Sequence, residues 1–158
     1  MDDFIILTDS RQQKENHIIK EFDKQGILHI RTGLPSADYM AVRYDNKQGF
    51  YLDYSVLIDT KKDLLELCNN MTRTTEHQRV IREIELGQQL GCEKFVFIIA
   101  EDKIKSVEDI KNWSNKYTRV KGETLYKILK TFKEHHNCKF MIVPKKNMGK
   151  TIIDILTK

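Results

Sequence analysis

The sequence predicts an α/β fold, a mixed central sheet flanked by helices. Three observations carry this. Short runs of branched apolar residues fill the first sixty positions as a meander. Residues 18–22 and 75–90 place apolar side chains at helical spacing instead. From residue 64 onward, helical and strand-like segments alternate.

Residues 4–7 read as the first strand, followed by the turn-like Thr8-Asp9-Ser10. Ile18, Ile19 and Phe22 share one helical face, and Gly26 closes that helix. Residues 27–30 form a second strand. Residues 40–44 and 50–54 flank Asp45-Asn46-Lys47-Gln48-Gly49, a hairpin loop, and residues 55–61 continue the second arm. Leu64, Leu65, Leu67 and Cys68 give a short helix. A longer one covers residues 75–90 and ends at Gly91. Phe95-Val96-Phe97-Ile98-Ile99 is the most apolar strand and is expected at the centre of the sheet. Helices over 107–113 and 124–132, a strand over 140–143 and a last helix after Gly149 complete the pattern.

The chain has 158 residues, 40% apolar and 32% charged, with no internal repeat or linker, so one domain over residues 1–158 is expected. No apolar run has the length of a membrane span. The start, MDDFIILTDSR, lacks the basic region of a secretion signal, and a cytoplasmic location is the default. Richness in Lys, Ile and Asn fits an AT-rich bacterial or phage genome. Cys68, Cys92 and Cys138 are scattered and odd in number, which disfavours a disulfide frame or a zinc site. His135-His136-Asn137-Cys138 has no second ligand pair at zinc spacing.

Charge is unevenly spread. Residues 111–150 hold 11 Lys/Arg against two acids, whereas residues 1–110 hold 15 basic and 20 acidic groups. A basic third suits a polyanion partner, and a merely solvated lysine face is the plainer explanation.

The stretch VLIDTKK, residues 56–62, runs from a buried strand into charge. Side chains at i and i+2 share a strand face, so Asp59 and Lys61 project together. Asp38 lies at the mouth of the hairpin and can reach Asp59 across strands about 4.8 Å apart if the register brings them level. Two such carboxylates repel without a cation, and a hard ion such as Mg²⁺ relieves that. Asp9, ending the first strand, can add a third oxygen ligand. Lys61 would orient or deprotonate a water, or stabilise developing charge. Alone, Asp-x-Lys is also an ordinary ion pair.

In this order and spacing, Thr8-Asp9-Ser10-Arg11-Gln12, Ala37-Asp38-Tyr39 and Asp59-Thr60-Lys61, with Asp63 nearby, resemble the motifs of the XPF-type nuclease domain. That is a branch of the PD-(D/E)XK nucleases with a restriction-endonuclease-like fold. EHQRVIREIE, KGETLYKILKTF and MGKTIIDIL extend the likeness to phage-encoded, single-domain members over nearly the whole chain. Gln12 stands where that pattern has glutamate, Ala37 where it has glycine, Asp59 for glutamate and Thr60 for arginine. The resemblance implies Asp38, Asp59 and Lys61 as catalytic residues. It also implies Asp38, Asp59 and Asp9 as ligands for Mg²⁺ or Mn²⁺.

Other residues have weaker claims. Arg79 and His77, opening the long helix, can contact phosphate, and Glu83 can orient Lys61 or a metal-bound water; an exposed helix start with i,i+4 pairing explains them as well. Arg11 can meet the DNA backbone or merely pair with Asp9. Lys145, Lys146 and Lys150 can meet phosphates near a helix N-terminus, although Pro144 spoils the P-loop match of Gly149-Lys150-Thr151. Trp113, with Tyr117 and Arg119, can stack on a base, but a lone tryptophan in an amphipathic segment is more often core.

Two function classes follow. The first is a metal-dependent DNA endonuclease acting at branched or flapped DNA, with a homodimer or partner subunit aiding substrate selection and no membrane partner. The alternative is a catalytically inactive DNA-binding or scaffolding subunit on the same fold. Retention of Asp38, Asp59 and Lys61 favours the first, and Gln12 favours the second. A phage effector that binds a host protein is a third reading.

Overall fold

The structure, a computed structural model, describes residues 4–12 and 15–158. Six strands form one mixed sheet: β1 (Phe4–Asp9), β2 (His29–Thr32), β3 (Tyr39–Asp45), β4 (Gly49–Lys61), β5 (Lys94–Ala100) and β6 (Cys138–Val143). Their order is β2-β1-β3-β4-β5-β6. The β1–β3 and β3–β4 pairs are antiparallel, and the other three are parallel.

Five helices cover the sheet: α1 (Asn16–Lys24), α2 (Leu64–Thr72), α3 (Thr74–Gln89), α4 (Gly122–His136) and α5 (Met148–Leu156). On one face, Ile18 and Phe22 of α1 and Ile152 and Leu156 of α5 pack against Ile6, Ile58 and Val96. On the other, Leu64 and Leu67 of α2, Ile84 of α3 and Leu129 of α4 pack against Leu57, Phe95 and Phe97. The alternation of Leu57 with Ile58, and of Phe95 with Val96, is the two-residue strand period divided between two cores.

Several expectations need correcting. The strand over residues 95–99 is fifth of six, with β3 and β4 in the middle. Its apolar run reflects helices on both faces, which any interior parallel strand requires. The second strand begins at His29, because Ile27 still closes the end of α1, its amide donating to Phe22 O at 2.9 Å. The segment over 107–113 makes only a short 3₁₀ turn, Glu108–Asn112. The last helix includes Gly149. Trp113, 8% exposed, belongs to the core, as a lone tryptophan in an amphipathic segment was expected to.

One irregularity positions the site. Tyr39 pairs with Ile58 and Ala41 with Asp53, so four residues of β4, 54–57, stand opposite the single Met40. Beyond this bulge, Asp38 falls level with Asp59, as the sequence required.

Candidate active site

β4 and β5 run parallel, and their carboxyl ends open into a cleft of ≈ 1090 Å³. Ligand sites in α/β sheets favour this end of the strands. Asp9, Asp38, Asp59, Lys61 and Glu83 all line it.

Asp38 is held by backbone on both sides. Its amide donates to Ile58 O and its carbonyl accepts from the Asp9 amide, each at 2.9 Å. Its Oδ2 accepts from the Thr60 amide at 2.9 Å. The Lys61 ammonium meets Asp59 Oδ2 at 2.9 Å, and Asp59 is only 5% exposed. Burial, followed by the charge of Asp59, pushes the Asp38 carboxyl well above its usual range. Two carboxyl groups placed this way repel unless a cation or a proton lies between them. For Lys61, burial disfavours the charge, yet Asp59 outweighs it and the ammonium is held above its usual value. A lysine held charged in this way is suited to charge stabilisation.

Glu83 reaches the same cleft from α3. Helix and strand approach closely at Gly87, where an added Cβ would lie 2.8 Å from Leu57 Cδ1. Glu83 Oε1 accepts from the Ala37 amide at 2.6 Å, and its backbone carbonyl accepts from Ser36 Oγ at 2.7 Å. Ala37 has φ 65, a left-handed backbone that favours glycine. The departure from the glycine of the resembled motif thus carries a conformational cost, which Glu83 helps to hold in place. Burial, and then the charge of Asp59, raise the Glu83 carboxyl to about 7.

Behind Asp38 lies a polar layer that the sequence reading leaves out. Glu15 Oε1 accepts from Thr60 Oγ1 at 2.6 Å and from the Tyr39 hydroxyl at 3.0 Å. Gln12 Nε2 donates to Thr60 Oγ1 at 2.7 Å and also to Glu15. Thr60 Oγ1 lies 3.3 Å from Asp38 Oδ2. Burial raises the Glu15 carboxyl, while the bonds from Thr60 and Tyr39 oppose that shift. Nothing local announces Glu15, since its partner Thr60 is 45 residues away.

The remaining expected residues divide. Arg11, Arg79 and Lys145 line the cleft, joined by Arg82, one turn beyond Arg79 and legible from that spacing. Asp9 lines it too, but its Oδ1 accepts from the Leu34 amide at 3.0 Å and its carboxylate meets Arg11 at 3.3 Å. His77 instead packs edge-on against Phe132, ring centres 5.5 Å apart. Asp63 caps α2 by accepting from the Glu66 amide at 2.8 Å. Lys146 and Lys150 are exposed outside the cleft lining. Among the described residues, no three His, Cys, Asp or Glu side chains form a preassembled metal cage.

A family model described as the ERCC4 domain matches residues 8–153. The chain belongs to the ERCC4-domain family. Its fold is also similar to that of XPF from Aeropyrum pernix, with a TM-score of 0.64 at 12% sequence identity. That match covers 96% of this chain and 64% of the other, so the ERCC4 domain described here spans under two thirds of that structure's length. No curated protein matches the sequence. The resemblance to an XPF-type nuclease domain, first carried by three short motifs, thus holds for both family and fold. No helix among the described residues is long and apolar enough to cross a membrane.

Proposed function

We propose that this ERCC4 domain is a divalent-metal-dependent endonuclease that hydrolyses phosphodiester bonds of DNA at branched or flapped structures. The observation that carries the reading is the Asp38–Asp59 carboxyl pair, Asp59 only 5% exposed, with Lys61 on its flank. The donor set fits a hard cation: the pair offers only oxygen. Mg²⁺ typically takes one or two carboxylates and fills its other positions with water and phosphate, so a third preassembled acid is not required. When bound, Mg²⁺ or Mn²⁺ neutralises phosphate charge and acidifies a water.

The chain's own groups have separable tasks. Asp38 and Asp59 would hold the ion, and Thr60, braced by Glu15 and Gln12, fixes one oxygen of Asp38. Lys61 offers its ammonium to phosphate oxygen charge as the bond breaks. Glu83, poised near neutrality, can exchange a proton at working pH. Arg79, Arg82 and Lys145 line the cleft where flanking phosphates would pass.

Nicking of flap or fork DNA in Mg²⁺ or Mn²⁺ tests this. The expected result is cleavage by the wild type, lost in EDTA and lost in Asp59→Ala and Lys61→Ala. Equal cleavage in EDTA overturns the metal mechanism. Gln12 supports a second reading, a silent DNA-binding subunit, because an amide occupies a position in the polar layer where a carboxylate would add charge. DNA binding without cleavage, unchanged in Asp59→Ala, would favour that reading.

A further inference from the structure

Of the three residues that the sequence offers to a base, Trp113 goes into the core. Tyr117 does the opposite. It is 72% exposed, the most of any large apolar side chain among the described residues.

The loop that carries this ring is built. Because β6 is parallel to β5, α4 must start at the carboxyl end of β5 and run back. Residues 101–121 therefore lie at the end of the sheet where the cleft opens. Ile110 and Trp113 anchor the segment in the core. The Gly122 amide donates to Trp113 O at 3.0 Å and closes residues 113–122 into a loop. The join is tight, since a Cβ on Gly122 would lie 2.6 Å from Trp113 O. Inside the loop the Tyr117 amide donates to Asn115 Oδ1 at 2.8 Å, and the Val120 amide to Thr118 Oγ1 at 3.2 Å. The backbone is bonded in place while the ring stands in water.

A single exposed aromatic is ordinary, so its charged setting has to decide. Residues 111–121 hold Lys111, Lys116, Arg119 and Lys121 and no acid. Lys111 meets Glu108 at 3.3 Å, whereas the Lys116 ammonium lies 5.1 Å from the centre of the Tyr117 ring. Arg119 and Lys121 are exposed and line a hollow of ≈ 450 Å³, whose wall includes Thr118, next to Tyr117, and one acid, Glu123. Among the described residues, neither cation forms an ion pair with an acid.

We infer that Tyr117, Arg119 and Lys121 form a docking site for single-stranded DNA, separate from the cleft. An aromatic face that takes a base, beside cations that take its phosphates, is the chemistry that holds single strands. A duplex keeps its base faces stacked and offers the ring nothing to cover. The inference rests on the nuclease reading only for the source of the strand, the unpaired arm of a flap or fork; the contact itself needs no cleavage.

Anisotropy of a short fluorescein-labelled oligo-dT tests it on the full chain in EDTA. The wild type is expected to bind, and Tyr117→Ala to lose roughly tenfold in affinity while melting at the wild-type temperature. Tyr117→Phe, which keeps the ring, is expected to bind as the wild type does. Arg119→Ala with Lys121→Ala is expected to lower the slope of log affinity against log salt by about 1.4. Binding of a blunt duplex is expected to be the same in Tyr117→Ala and the wild type. A wild type that ignores oligo-dT overturns the inference, as does wild-type affinity in Tyr117→Ala. Equal losses on duplex and oligo-dT, a Tyr117→Phe as weak as Tyr117→Ala, or an unchanged salt slope overturn it too. Oligo-dT binding that depends on Tyr117, in a chain that never nicks DNA, would sink the nuclease reading and leave this site standing.

Discussion

The two ends of β4 break the usual rule of burial in opposite directions. At its carboxyl end the strand buries Asp59 and Thr60 beside Lys61. At its amino end it exposes Phe50 and Leu52. Charge is expensive inside unless it is paired or neutralised, and contiguous apolar surface is unusual outside unless it is covered. One strand thus carries shielded charge at one end and bare apolar surface at the other. The difference teaches that a partner can be inferred from the kind of surface left unsatisfied.

The sharpest way to break this contrast is at the charged end. Asp59→Ala should reduce nicking by roughly a thousandfold or more, and Lys61→Ala by about a hundredfold or more, measured as single-turnover cleavage at saturating Mn²⁺. Retained cleavage in Asp59→Ala would mean that the buried acid has no catalytic task. The next effect concerns the layer behind Asp38. Glu15→Gln should weaken Mn²⁺ binding by about tenfold to a hundredfold in calorimetry. Gln12→Glu in that background should recover most of the loss, since position 12 reaches the same Thr60 hydroxyl. If the second change restores nothing, the layer only packs.

Removing the cation should leave a pH signature. The Glu83 carboxyl is raised from 4.5 to about 7, and Asp38 moves in the same direction. Between these values the folded chain binds more protons than the unfolded one, so stability falls as pH rises through that window and levels off above it. Urea denaturation in EDTA should show a loss on the order of 2 kcal/mol between pH 4.5 and pH 7. Saturating Mn²⁺ should flatten the slope. A smaller effect is expected at the backbone: Ala37→Gly should stabilise by about 1 kcal/mol, because φ 65 no longer opposes a Cβ. Smallest of all, Phe50→Lys should change the monomer's unfolding free energy by less than about 0.5 kcal/mol. A larger loss would mean that the apolar end already packs within its own chain.

The fold and the convergence of Asp38, Asp59 and Lys61 were legible because strands carry their own ruler. Alternation put Asp59 and Lys61 on one face, and the hairpin signal put Asp38 opposite them. The bulge that brings Asp38 and Asp59 level was not legible, since residues 54–57 read simply as more strand. Glu15 was hidden for a related reason. It stands at the N-cap of α1 while its partners Tyr39 and Thr60 come from two strands, and no sequence period links them. His77 misled through proximity in sequence, because Phe132 draws its ring away while Arg79 and Arg82 line the cleft.

The bulge opposite Met40 has a consequence for how such a chain can diverge. Asp38 takes its alignment from Ile58 O and the Thr60 amide, both on the far side of the bulge from the hairpin tip. Residues can be gained or lost between Asp45 and Gly49 without sliding one acid past the other. The tip is therefore free to be rewritten for new contacts while the paired acids keep their geometry.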